Sequence, residues 1–242
     1  KSIKMKVNVF NLILFDESGS MESIRKPAIE SLNETLQSIQ RAQRVHQEYQ
    51  KHFVTLVCFN AESIKTIYDV VPVEEIRMIG YEDYQPNNCT PLYDAMGSCL
   101  SKLRCKLNSS ENNQVLVTII TDGYENASKE YDKKMIRHLV QELQNSGWVF
   151  VYIGANQDVD AVADSLSIHN KLLFIAEPDN VRKMMVTERS SRANFYNKIS
   201  TNLFDSEMDL QRNFFENDSR ESFPTNKSAK SVIAVVRNYL GI

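Results

Sequence analysis

The sequence predicts an α/β fold: a doubly wound, mostly parallel six-stranded sheet in the order 3-2-1-4-5-6, with one antiparallel edge strand and helices on both faces. Three observations predict it. Apolar runs of strand length alternate with longer stretches whose apolar residues recur every three to four positions. The runs at 7–15 and 115–121 are largely apolar, as strands buried on both faces are. The runs at 52–60 and 63–71 are joined by a turn too short for a crossover, so they form a hairpin, and its second strand belongs at an edge. Right-handed crossovers then favour a strand order that reverses between strands one and four.

The elements follow in order. After strand 7–15, residues 22–50 are polar apart from Ile24, Ala28, Leu32, Leu36, Ile39 and Val45, whose spacing makes one long amphipathic helix. Pro27 falls near its start, where a missing N–H costs little. The hairpin comes next, then an irregular polar stretch over 72–88. Thr90-Pro91 opens a helix reaching about 107, with Leu92, Ala95, Met96, Cys99, Leu100 and Leu103 on its buried face. Strand 115–121 precedes a helix at 129–146, and strand 148–153 precedes a helix at 158–166. A short strand at 171–175 and a helix at 179–199 close the pattern, with Val181, Met184, Met185, Phe195 and Ile199 on one side. Residues 1–200 are thus read as one domain and 201–242 as a C-terminal extension, docking or partly flexible. Within the extension, 202–215 is apolar enough to pack, 216–231 is polar and linker-like, and 232–240 is a final apolar run.

Composition narrows the function. With 42% hydrophobic residues and a net charge of −3, the 242-residue chain has a core of ordinary size and no concentrated basic surface for nucleic acid. No apolar stretch approaches the roughly 20 residues of a membrane span. The basic start, KSIKMKVNVF, runs straight into the first strand and does not read as a signal peptide, although a leader before Lys1 stays open. Cys58, Cys89, Cys99 and Cys105 form no CxxC pair, so they read as reduced thiols and favour a cytoplasmic protein. His46, His52, His138 and His169 are scattered and read as packing or surface residues, and Met184-Met185 as core.

Chemistry concentrates in five oxygen-bearing residues. Asp16, Ser18 and Ser20 lie in DESGSM after strand one, Thr90 opens the second long helix, and Asp122 follows strand four in TDG. The proposed strand order brings the ends of strands one and four together, where ligands bind in open α/β sheets. Any one of these residues reads equally well as a helix cap. Two carboxylates and three hydroxyls arriving at one place form a hard-oxygen set suited to Mg²⁺ or Mn²⁺.

The same residues, D-x-S-x-S at 16–20, the distant Thr90 and the later Asp122, resemble the metal-ion-dependent adhesion site (MIDAS) of von Willebrand factor type A domains. The resemblance spans about 5–200 and is nearest to compact bacterial members, through ITDGYENAS, CTPLYDAM and GANQD. It implies that Ser18 and Ser20 bind the ion directly, that Asp16 and Asp122 act largely through water or hydrogen bonds, and that Thr90 does either, depending on state. It also implies that the helix at 179–199 can shift with metal coordination. The function it implies is non-enzymatic: Mg²⁺-dependent binding of an Asp or Glu presented by a partner protein. Cys89 stands where the family often has glycine, and Glu17 and Glu125 add acidic groups that read as solvated neighbours or as modifiers of ion affinity. Tyr81, Tyr84, Tyr93 and Tyr124 read as rim contacts for a partner or as loop packing. The alternative is a metal-dependent phosphoryl-transfer or hydrolytic enzyme of haloacid-dehalogenase-like type, which also begins with an Asp after strand one. That chemistry needs a second carboxylate where this chain has Ser18. No GxGxxG follows strand one, so a dinucleotide site is not expected.

Overall fold

A computed structural model describes residues 6–107, 112–155, 157–201 and 213–215. Its sheet has six strands in the order β3-β2-β1-β4-β5-β6. They are β1 (Val7–Asp16), β2 (Gln50–Phe59), β3 (Ile64–Pro72), β4 (Asn113–Thr121), β5 (Val149–Ala155) and β6 (Asn170–Phe174). All neighbours are parallel except β2 and β3, the hairpin, whose outer strand takes the edge.

Period-two alternation sends each strand into two cores. From β1, Val9, Ile13 and Phe15 enter one layer, beneath α1 (Arg25–His46) and α5 (Pro178–Thr201). Phe10, Leu12 and Leu14 enter the other, beneath α2 (Leu92–Lys106), α3 (Lys133–Asn145) and α4 (Val159–Ser165). Two-sided burial is why β1 reads as an apolar run. Asn11, polar and buried between Phe10 and Leu12, lies on the α1/α5 face.

Two helices begin later than their periodicity suggests. Residues Gly19–Ile24 form a 3₁₀ turn before α1, which tightens the chain next to the Asp16–Ser20 loop. The α3 helix starts at Lys133 because Asp132 caps it, accepting from Met135 N at 2.9 Å. The expected apolar face of α1 is buried except at its end, where Val45 is 73% exposed. Met184 and Met185 are core, as expected. In the extension, Phe214 packs on Phe195, and its N–H donates to Asn170 Oδ1 at 3.0 Å. The expected packing of 202–212 and the apolar run at 232–240 lie outside the described residues. Among the described residues no helix is long and apolar enough to cross a membrane.

Candidate metal centre

Parallel β1 and β4 end side by side, with Phe15 level with Ile120, so the residues just beyond them converge. Ser20 Oγ donates to Asp122 Oδ1 at 2.5 Å, and Ser18 Oγ stands 3.2 Å from Ser20 Oγ. Thr90 joins from the β3–α2 connection: a methyl group built on Gly123 would stand 3.5 Å from Thr90 Oγ1 and 3.7 Å from Ser20 Oγ. Asp16 is wholly buried beneath. Its Oδ1 accepts from Ser18 N at 2.8 Å and its Oδ2 from Thr121 Oγ1 at 2.5 Å. All five residues singled out in the sequence therefore occupy one cluster.

Backbone hydrogen bonds hold the loops against one another. Gly19 N donates to Asn88 O, Asn87 N to Glu17 O, Ala61 N to Cys89 O and Asn126 N to Thr90 O, at 2.9–3.1 Å. Thr90 N donates to Asn126 Oδ1 at 2.8 Å, so the third loop also fixes the second. The left-handed position before Thr90 is Asn88 (φ 68°), not Cys89. Asparagine tolerates that region, and its Oδ1 accepts from Cys89 N at 3.0 Å. The missing glycine thus has a local substitute.

Electrostatics mark the cluster as short of positive charge. Burial pushes the Asp16 carboxyl up to about 6, against its bonds to Thr121 and Ser18, with Asp122 adding repulsion. Burial also raises Asp122, whose Oδ2 is buried without any hydrogen-bond partner. Among the described residues no Lys or Arg forms an ion pair with either carboxylate, and no three His, Cys, Asp or Glu side chains group as a metal site. What the chain does present is two carboxylates beneath three neutral hydroxyls. An orphaned buried carboxylate oxygen beside hard neutral donors fits a small divalent cation.

No protein-family model and no curated protein sequence matches the chain. Solved structures do. Proximal thread matrix protein 1 from the mussel byssus, solved with a zinc-occupied MIDAS motif, superposes with TM-score 0.53 at 14% identity, over 79% of this chain and 47% of that one. The pilus adhesin SpaC from Lactobacillus rhamnosus GG superposes with TM-score 0.52 at 12% identity, over 82% of this chain and 31% of that one. The chain spans less than half the length of either protein. Strand order and superposition agree. This is a von Willebrand factor type A-like fold.

Within that A-type fold, the acidic and aromatic neighbours divide by role. Glu17 is not a solvated neighbour: it is buried, bridges Lys65 Nζ at 2.7 Å and accepts from Gln85 N at 2.6 Å. Glu125 likewise staples its own loop, accepting from Tyr93 N, Ala127 N and Ser128 N at 2.8–2.9 Å. Tyr84 is buried and donates to Asp16 O at 2.6 Å, so it is packing, whereas Tyr81 and Tyr124 are half-exposed at the loops. Thr121 and Asn126 are the site residues that sequence reasoning missed. Thr121 could have been found from strand alternation: it shares a face with Ile119 and Val117, so a hydroxyl there is buried and needs an acceptor. Nothing in the sequence pointed to Asn126.

Proposed function

We propose that the chain is a non-enzymatic protein-interaction module whose Asp16, Ser18, Ser20, Thr90 and Asp122 hold Mg²⁺ (or Mn²⁺) and through it an Asp or Glu of a partner protein. One observation carries the reading: the partnerless Asp122 Oδ2 buried beside the hydroxyls of Ser20 and Ser18. A divalent cation held there would supply the positive charge the two aspartates lack and would attract an outside carboxylate. Ser18, Ser20 and Thr90 offer neutral oxygens, which leave that charge partly unquenched. Asp16, held from both sides by Ser18 and Thr121, orients the loop and balances charge from below. The zinc-occupied MIDAS of the mussel protein supports a divalent ion at this place in the fold.

The enzymatic alternative draws less support. Both oxygens of Asp16 already accept hydrogen bonds, so it is poorly placed as a nucleophile. Position 18 presents a hydroxyl where that chemistry needs a carboxylate. We further assign residues 1–200 to the A-type domain and 201–242 to an extension that docks in part through Phe214, and we favour a cytoplasmic setting because all four cysteines are free.

Calorimetry tests the site. The wild type binds Mg²⁺ and Asp16→Ala does not; equal affinity in the two would end the assignment. A pull-down from lysate with and without chelator then identifies ion-dependent partners. Turnover of p-nitrophenyl phosphate that disappears in Asp16→Asn would instead favour the enzyme.

A further inference from the structure

The α1/α5 pair has two unlike halves. Near the metal-site end, ion pairs close it: Arg182 to Glu30 at 3.8 Å and Arg189 to Glu34 at 3.5 Å. Towards the other end the helices enclose a cleft of about 330 Å³. Buried Ala42 and Tyr196 lie at its floor, Ala193 is exposed beside them, and Val45 and Val186 stand on its lips, 73% and 52% exposed. Those two valines break the rule that a helix turns its apolar side chains inward. Val45 in particular continues the apolar stripe of α1 beyond the point where anything described covers it.

The charge of this cleft is one-sided. Arg41, Arg189 and His46 line it; Arg189 meets Glu34 at 3.5 Å at its edge, which leaves Arg41 as the uncompensated charge. Arg41 has no ion-pair partner among the described residues, and Arg44 follows it on the same helix end. The chain as a whole carries 31 acidic against 28 basic residues, so the cleft runs against the overall balance. Burial keeps His46 below its ordinary range, so the arginines supply the charge at neutral pH. One free and one paired arginine beside this floor are too few for a phosphate backbone, which needs an extended basic stripe. They suit a peptide that brings both apolar side chains and carboxylates.

We propose that this cleft is a second protein-docking surface that takes an acidic amphipathic segment of a partner, with its apolar side chains between Val45 and Val186 and a carboxylate on Arg41. It is independent of the metal centre. The centre lies where α1 begins, and the cleft occupies the last turns of that 22-residue helix, roughly 20–30 Å away. One domain would then hold two partners, or two parts of one partner, at opposite ends.

The probe is a fluorescein-labelled helical peptide with leucines at i, i+4 and i+7 and flanking glutamates, titrated into the full chain in EDTA and followed by anisotropy. A counterpart with lysine for every glutamate controls for charge. The glutamate peptide binds, the lysine peptide does not, and salt weakens the complex. Arg41→Glu and Val45→Ser, both at exposed positions, each lower the affinity by at least about tenfold. Equal binding of the two peptides, or unchanged affinity in both variants, overturns the proposal. So does failure of the glutamate peptide to bind. Sedimentation of the full chain gives the remaining outcome: a dimer dissociated by Val45→Ser assigns the cleft to a second copy and overturns it too. Asp16→Ala separates this proposal from the metal reading, because peptide binding survives that substitution.

Discussion

Two sets of buried carboxylates lie against this sheet or at its strand ends, and they are finished differently. Glu188 of α5 is buried with Arg192, whose Nη2 approaches Glu188 Oε1 to 2.5 Å and whose Nε donates to the same atom at 2.7 Å. Arg192 also reaches Thr118 Oγ1 at 2.7 Å, Asn11 Oδ1 at 3.3 Å and Tyr196 OH at 3.2 Å, tying α5 to β4 and β1. Burial works against its charge, yet Glu188 and Tyr196 hold the guanidinium protonated, above its ordinary range. Asp16 and Asp122, at the strand ends, have hydrogen bonds but, among the described residues, no cationic partner. The first set is complete, so its role is to fix α5 in register. On the proposed reading, a bound ion completes the second.

The largest effect tests the complete set. Arg192→Ala leaves Glu188 buried and unpaired and should cost about 3–5 kcal/mol in urea unfolding, while the double variant Arg192→Met/Glu188→Leu should regain most of it. A loss under about 1 kcal/mol would show that the pair is solvated and that the two sets do not differ as described. The same anchor bears on the expectation that the last helix shifts with metal coordination. Any slide of α5 along its axis must break the contacts of Arg192 with β1 and β4.

The incomplete set should behave in the opposite way. The Asp16 carboxyl is raised from 3.8 to about 6, so in the metal-free fold its stabilising contribution is complete below pH 3.8 and lost as pH rises through 6. Integrated over that window, the loss is about 3 kcal/mol. With EDTA present at pH 7, Asp16→Asn should therefore be more stable than the wild type by an amount of that order, with the gap closing near pH 4. Adding Mg²⁺ should stabilise the wild type alone. Urea midpoints across pH for both proteins, with and without the ion, supply the measurement. A variant less stable than the metal-free wild type at pH 7 would place Asp16 with the structural carboxylates.

Thr121→Val takes the hydroxyl from Asp16 Oδ2 and should cost about 1–2 kcal/mol. It should also move the pH midpoint of the previous experiment upward, since that hydrogen bond favours the carboxylate form. Mg²⁺ affinity should fall by about 10-fold or more, as when an outer partner of a ligand is lost. A change in stability without a change in pH midpoint would separate Thr121 from the site.

How much of this was legible without coordinates follows from the range of each interaction. Strand order came from periodicity and crossover handedness, and the five oxygen residues from their places just beyond strands one and four and, for Thr90, at the opening of the second long helix. Both are local patterns constrained by one global rule. The buried pair of Glu188 and Arg192 was not legible: four residues apart on a helix, they look like any surface pair, and only the third dimension brings Asn11 and Thr118 beside them. The loop staples were hidden for the same reason. Asp94 accepts from the backbone of Lys129, Glu130 and Tyr131, residues some 35 positions on, which is why α3 starts after 129. In sequence Glu17 reads either as a solvated neighbour or as a modifier of ion affinity, because Lys65 and Gln85 N, which hold it, lie far along the chain.

Glu17 also gives the smallest expected effect and the sharpest division between the two kinds of carboxylate. It sits between Asp16 and Ser18 in sequence, closer to the proposed ion by residue number than Thr90 or Asp122. By geometry it belongs with the paired set, because Oε1 accepts from both Lys65 Nζ and Gln85 N. Glu17→Gln keeps the shape and an acceptor for Gln85 N while removing the charge that Lys65 meets. Lys65 is partly exposed and can turn to water, so the stability cost should stay near 1 kcal/mol. Mg²⁺ affinity, read by calorimetry, should change by less than about twofold, since a charge neutralised by its own lysine adds little field at the hydroxyl ring. A tenfold drop would mean that Glu17 leaves Lys65 when the ion arrives, and the line between finished and unfinished carboxylates would have to be drawn on the other side of it.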